Sequence, residues 1–288
     1  MIKRRTVLGL MGAAAGMATI GQTASAARAA RGSRSLDLED KRQLALAFRR
    51  LAYSLDNSVT FWWMRGTRYG VVDSVATPFW DMYVGAWFTT RDLSEDSYEV
   101  TMASANFYTP VNSGELLTSF RNPYTEEVVP VTYIEPKPWR TVFSPEGGSA
   151  FGGGESSGMK TTRSDAPGPG WIEGEDVVIR GDMVMNSVPV DPASGLKPFH
   201  VNDWSTYVGK LADVANPKVK SAPAVQYFTD ILSWPKWLRM GDLPGSFVSR
   251  CYGRKVFAYE QMPATWRRLF EQAMPEKAKN AADLVKGN

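Results

Sequence analysis

One histidine, His200, and one cysteine, Cys251, limit the chemistry open to this chain. Zinc sites draw mostly on His and Cys, so this pair cannot assemble one. The chain has no C-x-x-C-H for covalent haem and no D-x-D-x-D-G loop for calcium. Gly152 to Thr161 has the outline of a phosphate loop, but Met159 separates Gly158 from Lys160 and the segment reads as flexible loop. No cofactor is therefore expected. His200, the side chain whose ordinary pKa lies near neutrality, is the natural general base for a metal-free proton transfer, if it is not a surface or packed residue. Two-residue periodicity places it with Asn202, Trp204 and Thr206 on one strand face. Cys251 has no second thiol to pair with, and a Cys-His dyad would have to use His200 as well.

Polar residues that interrupt apolar strand faces carry more information. Along 97–108 the face bearing Tyr98, Val100 and Met102 continues into Ser104, Asn106 and Tyr108, which would bring hydroxyl and amide groups into an interior. In that setting Tyr108 or His200 would move a proton, while Asn106 or Arg65 would hold a developing oxyanion. Asp81 and Tyr83 share a face with Phe79 and Trp87, and Arg65 shares one with Trp63. Buried Asp and Arg are costly unless paired, so these mark either a structural ion pair or a ligand site. The chain holds 10 Trp, 11 Tyr and 13 Phe, concentrated in the strand segments and, as Trp234 and Trp237, in a Pro-containing connection. Such rings fill a core or line a pocket for a flat, apolar ligand.

The elements that must hold these residues are mostly strands. Leu44, Phe48, Leu51, Ala52 and Leu55 recur at helical spacing and predict an amphipathic helix over 36–55, with Asp37 as N-cap. After Asn57 the period changes to two. Strands are expected near 59–65, 68–73, 79–90, 97–108, 115–121, 128–135, 139–143, 176–187, 199–208, 224–233 and 246–259, with turns at Gly66-Thr67, Asn112-Ser113-Gly114 and Asn122 to Thr125. Residues 144–170, with eight glycines and three prolines, read as a surface loop. Pro263 to Met274 reads as a closing helix with Trp266, Leu269, Phe270 and Ala273 on one face. This pattern predicts a mainly β chain, an antiparallel meander closed into a lipocalin-like barrel or a sandwich, with an N-terminal and a C-terminal helix.

Residues 1–27 read as a leader: Lys3-Arg4-Arg5, a weakly hydrophobic Ala/Gly-rich run to Ile20, and Ala24-Ser25-Ala26 as a cleavage site. This is the pattern of a twin-arginine export signal, and it predicts a periplasmic or secreted protein that meets the twin-arginine export machinery in transit. The run is too short to span a bilayer, so no membrane span is expected. A basic linker over 28–35 would join it to one domain over 36–288. Without Lys3, Arg4 and Arg5 the 33 basic residues fall to 30, equal to the 30 acidic ones. A neutral mature chain lacks the field that phosphate backbones demand, so nucleic acid is not an expected partner.

Three separated segments carry a family resemblance: Phe61-Trp62-Trp63-Met64-Arg65-Gly66-Thr67-Arg68-Tyr69-Gly70, the turn Asn122-Pro123-Tyr124-Thr125, and Trp234-Pro235-Lys236-Trp237 through Gly245. In that order they resemble the exported bacterial proteins grouped as the DUF1838 family, over nearly the whole mature chain. One departure is Glu126-Glu127 after the turn, where the family usually continues with Gly-Glu. The resemblance implies no catalytic residues, because that family is uncharacterised. The residues themselves support two functions: a hydrophobic small molecule held in an aromatic-lined cavity, or a cofactor-independent isomerase, cyclase or lyase acting on such a molecule by proton transfer.

Overall fold

A computed structural model describes residues 36–286, apart from residues 134, 146, 149, 152–154 and 157. The leader and linker expected over 1–35, with Arg4 and Arg5, lie outside the described residues. Nine strands make the wall: β1 (Thr60–Val72), β2 (Val75–Asp92), β3 (Tyr98–Thr109), β4 (Trp139–Ser144), β5 (Met159–Glu173), β6 (Asp176–Pro189), β7 (Phe199–Lys210), β8 (Ala224–Leu232) and β9 (Ser246–Val256). They pair antiparallel in the order β4-β3-β2-β1-β9-β8-β7-β6-β5, so every neighbour is consecutive in the chain except β1 and β9, which join its two ends. The expected mainly β antiparallel barrel is what forms.

Nine antiparallel strands cannot close on themselves, because β4 and β5 then run in the same direction. Two short strands resolve the mismatch: Gly147–Gly148 pairs antiparallel with β4 and Ala150–Phe151 pairs antiparallel with β5. The seam is bridged there, and the guanidinium of Arg163 on β5 lies over the ring of Trp139 on β4 at 5.2 Å. The segment expected to be loop over 144–170 thus contains most of a long strand. Its Pro167-Gly168-Pro169-Gly170 run sits at a break in the β5–β6 register, a place where a strand tolerates Pro and Gly. The turn expected at Gly66-Thr67 is also absent. Gly66 lies inside β1, where a Cβ would come within 1.8 Å of the Arg250 carbonyl oxygen, so glycine marks a close backbone approach. The real turn is Asp73-Ser74, both at positive φ, as a two-residue hairpin requires.

Both ends of the barrel are stopped. Helix α1 (Lys41–Ala52) begins three residues later than expected, because Asp40 caps it by accepting from the Gln43 amide at 2.9 Å. It puts Phe48 and Leu51 among Trp62, Phe88, Tyr98, Phe143 and Ile179 at one end. Its C-terminal carbonyls meet basic side chains: Lys255 Nζ donates to Arg50 O at 2.6 Å and Tyr53 O at 3.0 Å, and burial pushes its pKa well down. The short helix α2 (Leu211–Val214) packs beside it, and Arg50 donates to Val214 O at 2.6 Å. At the other end the hairpin Ser119–Arg121/Val128–Pro130 and the turn Lys236–Leu238 cover Trp80, with Asn122 Nδ2 donating to Leu238 O at 2.8 Å.

Helices α3 (Ala264–Ala273) and α4 (Pro275–Lys279) lie on the outside, over β2 and β3. Trp266, Leu269 and Phe270 of α3 pack on Tyr83, Trp87, Ala103, Ala105 and Phe107. Strand β2 is consequently buried on both faces from Phe79 to Phe88, which explains a run that is apolar except for Asp81. Among the described residues no helix is long and apolar enough to cross a membrane.

Candidate functional site

Register and parity decide which side chains face the interior. From Trp62, whose indole packs on Tyr207 inside the barrel, even residues of β1, β2 and β3 point inward, as do odd residues of β5, β6, β7 and β9 and even residues of β8. Ser104, Asn106 and Tyr108 therefore face the interior, as their periodicity implies. Their surroundings are partly open to water. Asn106 is exposed, and Met102, Ser104, Met183, Met185 and Phe228 are only half-buried although all point inward. The ladder explains how water arrives: β4 ends at Trp139, opposite Met102, so among the described residues the half of β3 that carries Ser104, Asn106 and Tyr108 has no strand partner on that side.

Ionisable groups run around this accessible interior in one cross-strand row. Asp165 of β5 is opposite Met183 of β6, Met183 is opposite Asp203 of β7, Asp203 is opposite Asp230 of β8, Asp230 is opposite Ser249 of β9, and Ser249 is opposite Arg68 of β1. Two ion pairs form within the row. Arg163 grips Asp165 with two hydrogen bonds, Nε to Oδ2 at 2.7 Å and Nη2 to Oδ1 at 2.9 Å. Arg68 Nη1 donates to Asp230 Oδ1, which also accepts from the Ser249 amide at 2.9 Å and its hydroxyl at 2.7 Å. Arg68 also lies over Phe247 at 4.4 Å, and its buried Nε finds no partner among the described residues.

Asp203 has neither an ion pair nor a hydrogen bond among the described residues. Burial, with Asp230 adding to it, pushes its pKa up to about 8 against the pull of Arg163 and Arg68. The side chain is half-buried, and the shift favours its protonated form near neutral pH. Tyr108 stands on the opposite wall, its ring between Trp80 at 5.1 Å and Tyr133 at 5.6 Å, and burial raises its pKa with Arg68 opposing. Cys251 also faces inward, and burial raises its thiol to about 12, which leaves it protonated and poorly nucleophilic.

Other residues singled out in the sequence lie elsewhere. His200 shares its face with Asn202, Trp204 and Thr206 as expected, but that face is the outer one: the imidazole is exposed, with Nδ1 2.8 Å from Asn186 Oδ1. Trp63, Arg65, Asp81, Tyr83 and Trp87 share the outer face of β1 and β2, because α3 rather than the interior covers it. Arg65 and Asp81 form the structural ion pair at 3.8 Å, and Asp81 also accepts from the Asn112 amide at 2.9 Å, fixing the turn after β3. Arg65 lies over Tyr83 at 5.1 Å, and these two with Trp63, Pro263, Thr265 and Trp266 border an outer cleft of about 380 Å³. Trp234 donates to Leu243 O at 3.0 Å and Trp237 stacks on Trp80 at 5.6 Å, so both belong to the end plug.

Asp203, Asp230 and Arg68 are legible by the same parity that finds Tyr108, whereas Arg163 falls in the segment that reads as loop. Asp203 follows Phe199 and Val201 on the apolar side of β7, opposite to the side of His200, and Asp230 lies between Phe228 and Leu232 on β8. No curated protein and no solved structure matches the chain. A family described as protein of unknown function (DUF1838) matches residues 191–285, the segment that carries β7, β8, β9, α3 and α4 and, with them, Asp203 and Asp230 but not Tyr108.

Proposed function

We propose that this is an exported binding protein that holds, inside its barrel, a small molecule with an apolar body and a polar end. One observation carries the reading: Asn106 and its neighbours point into the barrel and yet are open to water, so the interior has room that side chains do not fill. The apolar contacts would come from Met102, Met183, Met185 and Phe228, and the polar ones from Ser104, Asn106 and the row through Asp203. The matched segment, together with the three motifs quoted above, supports placing the chain in the DUF1838 family.

Native mass spectrometry of the folded protein recovered from its host tests the binding. A small-molecule adduct is expected on the wild type and is expected to be lost in Ser104→Trp, which fills the interior while the far-ultraviolet circular dichroism stays unchanged. An adduct retained by a folded Ser104→Trp protein would move the site out of the barrel. Export rests on Arg4 and Arg5 ahead of the weakly hydrophobic run. Replacing both with Lys should leave the protein in the cytoplasm, and intact-mass analysis of exported wild type should show an N-terminus close to Ala27.

A further inference from the structure

The interior charges do not balance among themselves. Facing the accessible space are three carboxyls, Asp165, Asp203 and Asp230, and two guanidiniums, Arg68 and Arg163, and each guanidinium is committed to one of the outer two carboxyls. Lys255 faces inward too, but three inward positions beyond Ser249 along β9, held by the carbonyls of α1. Asp203 is left over. It is flanked in register by Asp230 on one side and by the apolar Met183 on the other, with Tyr207 next but one along its own strand. A half-buried carboxyl in that position lowers its unpaired charge by keeping a proton or by receiving a cation. Among the described residues no three His, Cys, Asp or Glu side chains converge to hold a metal ion, so a metal is poorly matched to it. The aromatic and thioether groups on the walls suit an organic cation, whose charge an aromatic face also attracts.

We infer that the polar end of the ligand is an ammonium group, which docks on Asp203, the one interior carboxyl that no guanidinium pairs with among the described residues. The inference rests on the interior-binding reading and names the chemical class of its ligand. Binding R–NH3+ to the protonated carboxyl yields the R–NH3+···carboxylate pair and one proton released to solvent, so charge and atoms balance without any further reactant. The groups acting on Asp203 are Asp230 from β8, Arg163 and Asp165 from β5 and Arg68 from β1. Beyond burial, the two carboxyls raise its pKa, Asp230 more than Asp165, and the two arginines lower it without pairing with it.

Three probes that share one ring system separate the possibilities: 1-naphthylmethylamine, 1-naphthylmethanol and 1-naphthoate. Titration calorimetry of the mature protein at pH 7, in phosphate and in Tris, reads affinity and proton release together. The amine is expected to bind at least tenfold more tightly than the alcohol, with the naphthoate weakest and close to one proton released per amine bound. In Asp203→Asn the preference and the proton release should both disappear while binding of the alcohol is kept. A measurement on the wild type alone serves as a second check: amine affinity should rise close to tenfold per pH unit from pH 6 to 7.5 and level off near pH 8. Equal affinity for amine and alcohol, or proton release that survives in Asp203→Asn, would overturn the ammonium assignment and leave interior binding standing. Failure of all three probes to bind would count against the interior-binding reading itself, and this inference would fall with it.

Discussion

Asp203 and Tyr108 both face the interior, from β7 and β3. Tyr108 and Asn106 follow from continuing an apolar strand face by twos, and that face does point inward. Asp203 lies three residues from His200 and on the opposite face of β7, so the lone histidine of the sequence marks the outer face and not the interior one. Physical chemistry then gives Asp203 a stability signature. An unfolded aspartate has a pKa of about 3.9, whereas burial holds Asp203 up to about 8 in the barrel. Between those values the folded state binds the extra proton, so this group's contribution is full below about pH 4 and is lost as pH rises through 8, at up to about 1.4 kcal/mol per pH unit. Asp203→Asn keeps the shape and removes the ionisation. The variant should be more stable than the wild type at pH 8.5, by about 1–3 kcal/mol once water in the interior is allowed for, and should lose that advantage at pH 5. Urea unfolding at the two pH values measures the difference; curves that stay parallel at both would refute the raised pKa.

Elements were more legible than their orientation. Most strands start and stop within a few residues of expectation, and the closing helix runs over Ala264–Ala273 with the face that was expected. What two-residue periodicity cannot tell is which face of a strand is inside, and here the C-terminal helix covers the outside of β2 and β3 with a second core. Trp63, Arg65, Asp81, Tyr83 and Trp87 lie on the outer face for that reason, and of the two readings open to Arg65 and Asp81 the structural ion pair is the one that forms. The element boundary is tight at Gly85, an outward position in the middle of β2. A Cβ there would lie 2.1 Å from Cζ2 of Trp266, whose Nε1 donates to Ala105 O at 3.1 Å. Gly85→Ala should therefore lift α3 and cost about 1–3 kcal/mol, the range for an overfilled contact. Adding Trp266→Phe to it should recover part of the loss, because the smaller ring vacates that space. Thermal unfolding followed by tryptophan fluorescence reads both effects. Gly85→Ala unfolding at the wild-type temperature would mean that the helix is not seated on the strand.

The whole barrel is a ring of unequal joints, and the inequality follows from counting strands. A meander of short strands announces itself in sequence, but the odd number of long strands and the Gly-rich bridge across the seam depend on pairings between residues far apart in the chain. Pairing of β1 with β9 brings residue 61 beside residue 256 and continues for eleven register positions, so the two ends of the fold are tied by one of its longest ladders. Among the described residues, the seam between β4 and β5 is spanned by the two-residue ladders of Gly147–Gly148 and Ala150–Phe151, with the Arg163–Trp139 contact across it. Local opening should start where ladders are shortest and apolar cover is thinnest. In native-state hydrogen exchange the amides of β4 and of Met159 to Asp165 are expected to exchange first, at least tenfold faster than those of Trp62, Met64 and Met82 to Trp87, which lie between long ladders and beneath α3. A ligand that fills the interior should slow the seam amides more than the β1 and β2 amides, because it bridges walls that the backbone joins weakly. Uniform exchange around the ring, or earliest exchange between β1 and β9, would show that the seam is not the weak joint and that the Gly-rich bridge holds as firmly as a full strand.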